Sequence, residues 1–150
     1  MKKILILIAI IFLNNCTGYS PIFSSKQTNF YISEIIINED NKSIRQIVKN
    51  LKPYTENNNK KKIILELDLS ITETVSLRDA KGNVATQEMK MILDAKGILS
   101  NGNTKKIQIV EKFTFNNQSN KFELNQYKKS IQSTLVDKIY EKLILELRIL

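Results

Sequence analysis

The fold of this chain is decided by the segment IILELDLSIT, residues 63–72. Its odd-numbered positions are all apolar, and its even-numbered positions after Ile64 are all polar. Successive side chains point to opposite faces of a β-strand, whereas a helix repeats every 3.6 residues, so a strict period of two predicts a strand. One face of this strand is expected to be buried and the other to be exposed to water.

The same alternation recurs twice further along the chain. Met89, Met91, Leu93 and Ala95 alternate with Glu88, Lys90, Asp94 and Lys96, and a third strand carries Ile107, Ile109, Phe113 and Phe115. The intervening segments, residues 78–83 and 100–103, are typical of turns, and the second contains an Asn-Gly pair. Three long strands joined by tight turns are therefore predicted. The polar face, with Glu66, Asp68, Ser70, Lys90, Asp94 and Lys96, is expected to stay open or to face a partner.

Glu111 interrupts the alternation of the last strand, because an acidic residue stands where an apolar one is expected, and Val110 has the opposite parity. Two interpretations are open. A β-bulge shifts the register at this point, or Glu111 faces a partner group. We favour the bulge.

Further elements flank these strands. Residues 30–37 are rich in aromatic and branched side chains and predict a first strand. From Ser43 the apolar spacing is helical, with Asp40, Asn41 and Ser43 as candidate caps and Pro53 as the stop. A long helix is predicted from about Phe122. Its apolar face comprises Tyr127, Ile131, Leu135, Ile139, Leu143 and Leu147, widened by Val136, Tyr140 and Ile144.

The element order is thus strand-helix-strand-strand-strand-helix. The broad apolar face of the last helix has to cover a sheet. This predicts an α+β fold in which two helices pack on one face of a four-stranded mixed sheet. Residues 30–150 are expected to form a single domain.

The N-terminus is typical of an export signal. Lys2 and Lys3 precede an apolar run over residues 4–13, which is within the about 7–15 residues of a signal-peptide core and short of the about 20 that span a bilayer. Leu13-Asn14-Asn15-Cys16 resembles a bacterial lipobox, so residues 1–15 are predicted to be removed and Cys16 to carry lipid. The alternative is an ordinary signal peptide with an incidental thiol. Residues 16–29 would form an extended segment, and Thr17, in place of Asp, favours the outer membrane.

The net charge and the absence of histidine limit the kinds of partner and of chemistry that this chain can have. Loss of Lys2 and Lys3 lowers the formal charge from +8 to +6, so an acidic partner is expected: nucleic acid, an anionic membrane or a phosphorylated lipid. Export makes nucleic acid the least expected of these. The chain has no histidine and one cysteine, which excludes a Ser-His-Asp triad, a Cys-His pair and an imidazole metal site. We expect no enzyme activity, cofactor or metal.

The residues from Cys16 onward, Cys-Thr-Gly-Tyr-Ser-Pro-Ile-Phe (16–23), resemble the opening of the LptE family of lipopolysaccharide-assembly lipoproteins. Thr17 is an insertion relative to that opening. The resemblance implies an outer-membrane lipoprotein that plugs the LptD β-barrel, helps that barrel to fold, and assists the insertion of lipopolysaccharide into the outer leaflet. An LptD-like barrel and lipopolysaccharide are the implied partners.

The resemblance also implies basic side chains near the first hairpin turn. Arg78 and Lys81 are the first candidates for contact with lipopolysaccharide, Lys105 and Lys106 at the second turn are the next, and Lys60, Lys61 and Lys62 are the last. The alternative is that these side chains only solvate loops. A different function also remains open, that of a stand-alone periplasmic binding or adaptor lipoprotein that holds a small ligand or another envelope protein on the open sheet face.

Overall fold

A twisted sheet with two helices on one side is the framework of the molecule. The computed structural model describes residues 28–56 and 60–149; Cys16, the predicted signal and most of the predicted extended segment lie outside them. The elements are β1 (Phe30–Ile37), α1 (Lys42–Leu51), a 3₁₀ turn (Lys52–Tyr54), β2 (Lys61–Arg78), β3 (Val84–Leu99), β4 (Thr104–Asn116) and α2 (Lys121–Arg148). The predicted α+β class and element order are confirmed.

The four strands lie in the order β1-β2-β3-β4. β1 runs parallel to β2, and α1 provides the crossover between them, while β2, β3 and β4 are antiparallel. The sheet is therefore mixed, as predicted. β1 covers only the first part of β2, because their pairing ends at Ile37 and Leu67.

The core lies between the sheet and the two helices. Alternate residues of the long strands, such as Leu65, Met91 and Ile109, are buried on this inner face beneath Ile47 of α1 and Ile139 of α2. The opposite, outer face carries the polar residues of the alternation and is covered by no other element of residues 28–56 and 60–149. Both helices thus cover one face, as the pattern predicted.

The ends of the helices follow from local chemistry. The side chain of Asn41 accepts a hydrogen bond from the Ile44 N–H (3.0 Å) and caps α1, while Asp40 instead binds Arg45. The α-helix ends at Leu51, and Pro53 lies in the 3₁₀ turn that follows. Asn120 caps α2 through the N–H groups of Phe122 and Glu123.

The prediction of a bulge at Glu111 was wrong. The β3–β4 register is unbroken, and Glu111 lies opposite Met91 on the inner face. Its carboxylate forms an ion pair with the ammonium group of Lys142 on α2. Glu111 therefore keeps the inner-face position that the alternation gives it, and only its residue type is unusual. An acidic side chain is accommodated there because Lys142 of α2 lies above it.

The long strands extend further than the alternation indicated. β2 continues from Thr72 to Arg78, and β3 begins at Val84, five residues before Met89. At the other end, β2 begins at Lys61, two residues before the alternating segment starts at Ile63. The register shifts that do occur lie in β1 at Ser33 and near the end of β2, between Val75 and Arg78.

Candidate functional site

The first hairpin divides into two parts with different surroundings. In the packed segment of β2, residues 61–69, alternate side chains are buried and strands lie on both sides. In the distal segment, residues 71–78, every residue after Ile71 is exposed, and only β3 lies alongside. The distal segment and its turn therefore project past the end of β1, and α2 contacts this segment where Lys128 pairs with Glu73.

The turn at the end of this projection is internally ordered. The Asp79 carboxylate accepts hydrogen bonds from the N–H groups of Lys81 (2.9 Å) and Asn83 (2.8 Å) and from the Asn83 side-chain amide (3.1 Å). These bonds, chiefly those from Asn83, hold the pKa of Asp79 below its usual range. Gly82 adopts a φ of 84°, which glycine tolerates without strain. The turn is thus fixed by its own side chains.

Arg78 and Lys81, the first candidates for contact with lipopolysaccharide, lie together at this tip. Both are exposed. Arg78 Nη1 donates to the carbonyl of Gly82 (2.9 Å), which uses one of the five guanidinium N–H donors. The other donors of Arg78 have no hydrogen-bond or ion-pair partner within the described ranges. This arrangement holds a planar cation at a fixed place while leaving it able to bind an anion such as phosphate.

Lys105 and Lys106, the second candidates, do not form one site. They are neighbours on β4 and point to opposite faces. Lys105 donates to Glu146 of α2 (3.2 Å) on the inner face. Lys106 lies on the outer face, where it lines an open cleft of about 320 Å³.

That cleft is a poor environment for an anion. Its charged lining comprises Glu66, Asp68, Asp94, Lys96 and Lys106, so carboxylates outnumber ammonium groups. Lys96 is already paired with Glu66 (3.0 Å), and Asp94 accepts a hydrogen bond from Gln108 (2.8 Å). A phosphate would meet at least as much repulsion as attraction here.

The two groups of candidates lie at opposite ends of the molecule. β3 has 16 residues, and at about 3.3 Å per residue it separates the two turns by about 50 Å. Lys61 lies at the end opposite to the tip and its N–H bonds the carbonyl of Asn29, at the point where β1 begins. Arg78 and Lys81 are therefore one site, and the lysines at the start of β2 and β4 belong to another region.

Sequence reasoning missed the exposed apolar side chains of the distal segment. Val75 is 45% exposed and Leu77 is 61% exposed. The start of α2 is held over the sheet by an edge-to-face contact of Tyr127 with Phe115 of β4 and by Lys128, which pairs with Glu73 of the distal segment. The available signal was the four β-branched residues Ile71, Thr72, Thr74 and Val75, which favour a strand on both sides of Glu73.

The described ranges hold no cluster of three or more acidic, cysteine or histidine side chains arranged for a metal ion. Within the same ranges, no helix has the length and hydropathy that crossing a bilayer requires.

Comparisons with known proteins support the fold. Neither the protein-family models nor the curated proteins match this chain. The fold is similar to the solution structure of uncharacterized lipoprotein B from Nitrosomonas europaea, with a TM-score of 0.62 and 9% identity over 87% of this chain and 90% of that chain.

Two crystal structures are also similar. The rare lipoprotein B from Shewanella oneidensis has a TM-score of 0.54 and 16% identity over 73% of this chain and 92% of that chain. The minor lipoprotein from Acinetobacter baumannii has a TM-score of 0.53 and 10% identity over 79% and 89% of the two chains. At these identities the likeness establishes the fold, which is that of several bacterial lipoproteins.

Proposed function

We propose that this protein is an outer-membrane lipoprotein of the LptE type, anchored through Cys16, which plugs an LptD-like β-barrel and assists lipopolysaccharide insertion. One observation carries the proposal. The α+β fold predicted from the strand alternation and helical spacing is shared with solved bacterial lipoproteins over most of their length, and the chain that forms it opens with the lipoprotein-like residues 16–23. The absence of histidine from the chain agrees with a role that needs no covalent chemistry.

The ends of the molecule suggest how it would be oriented. The predicted anchor precedes β1, which begins beside Lys61. The tip with Arg78 and Lys81 lies at the opposite end of the hairpin, about 50 Å away. The protein would therefore be tethered at its lysine-bearing end and would present its ordered basic tip away from the anchor.

The tip would act on lipopolysaccharide by electrostatics. Arg78 and Lys81 would pair with the phosphates or acidic sugars of the glycolipid and compete with the divalent cations that cross-link it. Since the turn is already ordered by Asp79, little conformational entropy would be lost on binding. The barrel would supply the path through the membrane.

Affinity capture of the anchored protein from detergent-solubilised envelopes tests the barrel role. We expect a large β-barrel to be recovered in near-equal amount and to remain bound through washing in detergent. Recovery of the monomer alone would overturn the proposal. A Cys16→Ser variant is the matched control, because it lacks the anchor and retains the whole described domain.

A second candidate function is favoured by the outer-face cleft. Its acidic lining suits a polar or cationic group, so a stand-alone periplasmic adaptor would bind its ligand there. An Asp94→Asn change separates the two functions. It would weaken an adaptor and leave capture of the barrel unchanged.

A further inference from the structure

The far part of β2 has a backbone edge that no other strand within residues 28–56 and 60–149 covers. The carbonyls of Ile63 and Leu67 face β1, since they accept hydrogen bonds from the Ser33 hydroxyl and the Asn38 N–H. The Leu69 carbonyl accepts from the Asn41 side chain on the same side. Since N–H and C=O groups of every second residue point to one side of a strand, the row continues through Ile71, Glu73 and Val75.

At these three residues the row has no partner. Pairing with β1 stops at Leu67, and no backbone or side-chain group of the described residues bonds the outward-facing groups of Ile71, Glu73 or Val75. We call this row the free edge, residues 71–75. It presents three N–H and three C=O groups, and the exposed side chain of Val75 flanks it.

The free edge lacks the two residue types that most often block strand addition. Natural edge strands carry lysine or proline, which discourage another strand from pairing. β4, the outermost strand on the other side of the sheet, has Lys105, Lys106 and Lys112. Residues 71–75 contain neither residue type. β1, the outermost strand on the β2 side, also contains neither residue type, but its register shifts at Ser33, and a bulge within an edge discourages pairing. The free edge ends before the register shift that follows Val75, so it is the unbroken edge suited to accept a strand.

The chain's own N-terminal segment cannot cover this edge. It would start beside Lys61, where Asn29 is bonded, and would have to run past ten residues of β2, about 33 Å, before reaching Ile71. Residues 16–27 span about 40 Å when fully extended. Almost nothing would remain to pair, and Cys16 would be drawn to the tip.

A second copy is also a poor occupant. Two identical edges pair antiparallel about a two-fold axis. In the register that pairs every N–H and C=O group of the free edge, Ile71 of one copy lies opposite Val75 of the other, and the two Glu73 residues lie opposite each other. Like charges directly opposite each other destabilise a strand pair.

We propose that the free edge binds an extended strand of the LptD-like barrel, so that the sheet continues into the partner. This inference rests on the proposed function and specifies its interface. Backbone hydrogen bonds would provide affinity, and apolar side chains at alternate positions would pack against Val75. The strand would carry an acidic residue near its contact with Arg78, the cation at the end of β2.

Two variants at one position test the backbone contact. Val75→Pro removes the outward N–H and leaves the bonds between β2 and β3 intact, which an edge strand tolerates. Val75→Ala is the matched control, because it shortens the side chain and keeps the N–H. We expect barrel capture by the anchored chain to fall at least tenfold for Val75→Pro and less than threefold for Val75→Ala.

The outcomes separate this inference from the function on which it rests. If the unaltered chain captures no barrel, the proposed function fails and the inference fails with it. If it captures the barrel and Val75→Pro does so equally well, only the strand pairing is overturned. Equal losses for both variants would mean a side-chain contact, and a dimer of the isolated chain that Val75→Pro dissociates would mean a second copy; both overturn the inference.

Amide hydrogen exchange keeps the inference testable if Val75→Pro fails to fold. In the isolated chain the amides of Ile71, Glu73 and Val75 should exchange faster than those of Thr72 and Thr74, which bond to β3. In the captured complex they should slow at least tenfold. Unchanged exchange at all three would overturn the inference.

Discussion

The packed and distal segments of β2 belong to one strand and have opposite surroundings. In the packed segment, Leu67 is 1% exposed, with β1 and β3 on either side and the helices above. In the distal segment, Val75 is 45% exposed, and one side of the backbone pairs with no strand of the described part of the chain. The first arrangement stabilises the domain. The second contributes little to stability, and it brings together the free edge, two exposed apolar side chains and the basic tip.

The largest expected difference between the segments is in stability. Leu67→Ala leaves a cavity in the core and should lower the free energy of unfolding by about 2–5 kcal/mol. Val75→Ala removes a half-exposed side chain and should cost less than about 1 kcal/mol. Urea unfolding of the soluble domain measures both. Similar losses would contradict the division of the strand.

The second largest expected effect on the free energy of unfolding comes from the ion pair between Glu111 and Lys142, which lies at the border of the two segments. Glu111 is aligned through Met91 with Ile71, and its side chain is 11% exposed, against 57% for Lys142. Lys142→Met would leave a buried carboxylate unpaired and should cost about 1–3 kcal/mol. Glu111→Leu restores the apolar alternation and should be neutral or stabilising.

The same unfolding measurements check this asymmetry. If Lys142→Met and Glu111→Leu lowered the free energy of unfolding equally, the attraction within the ion pair, and not the burial of an unpaired carboxylate, would determine stability. A loss for Glu111→Leu alone would show that the carboxylate has a further partner.

Charge reversal at the tip should affect binding without affecting the fold. Arg78→Glu with Lys81→Glu should weaken lipopolysaccharide binding about tenfold at moderate salt, or about 1.4 kcal/mol. The unfolding transition should not move, because both side chains are exposed. Lys61→Glu with Lys62→Glu is the control with the same charge change at the other end. An equal loss in the control would indicate net charge and not the tip.

The smallest expected effect is on the turn itself. The hydrogen bonds to Asp79 lower its pKa in the folded protein, so the order they provide is present above the ordinary value of about 3.9 and is lost as pH falls through the lowered value. NMR titration should place the Asp79 transition below that of a model peptide. Asn83→Ala should return it towards the ordinary value, and no change would mean that the turn is not held by this contact.

The sequence predicted the packed parts of the molecule well, because a strand with one buried face has apolar and polar residues in alternation. Leu65 and Leu67 alternate with Glu66 and Asp68, so the two faces of the sheet followed directly. In the distal segment the alternation is interrupted at Glu73, whose carboxylate pairs with Lys128 of α2, and every residue after Ile71 is exposed. Its length was therefore underestimated.

Two other features depended on contacts that the linear sequence does not contain. The apparent irregularity at Glu111 could be understood only once Lys142, 31 residues later, was placed above it. Lys105 and Lys106 looked like one basic pair, but successive residues of a strand point to opposite faces, and the carboxylates beside Lys106 come from other strands. The free edge required the strand order and the point at which β1 ends.

Site-specific photo-crosslinking in the intact envelope tests most directly whether the distal segment is the part that meets the partner. A photoreactive residue at Leu77, 61% exposed in the distal segment, is compared with one at Val110, 40% exposed on the outer face of β4. We predict a stronger crosslink to a large β-barrel from position 77 than from position 110. A barrel crosslink from position 110 with none from position 77 would contradict the account.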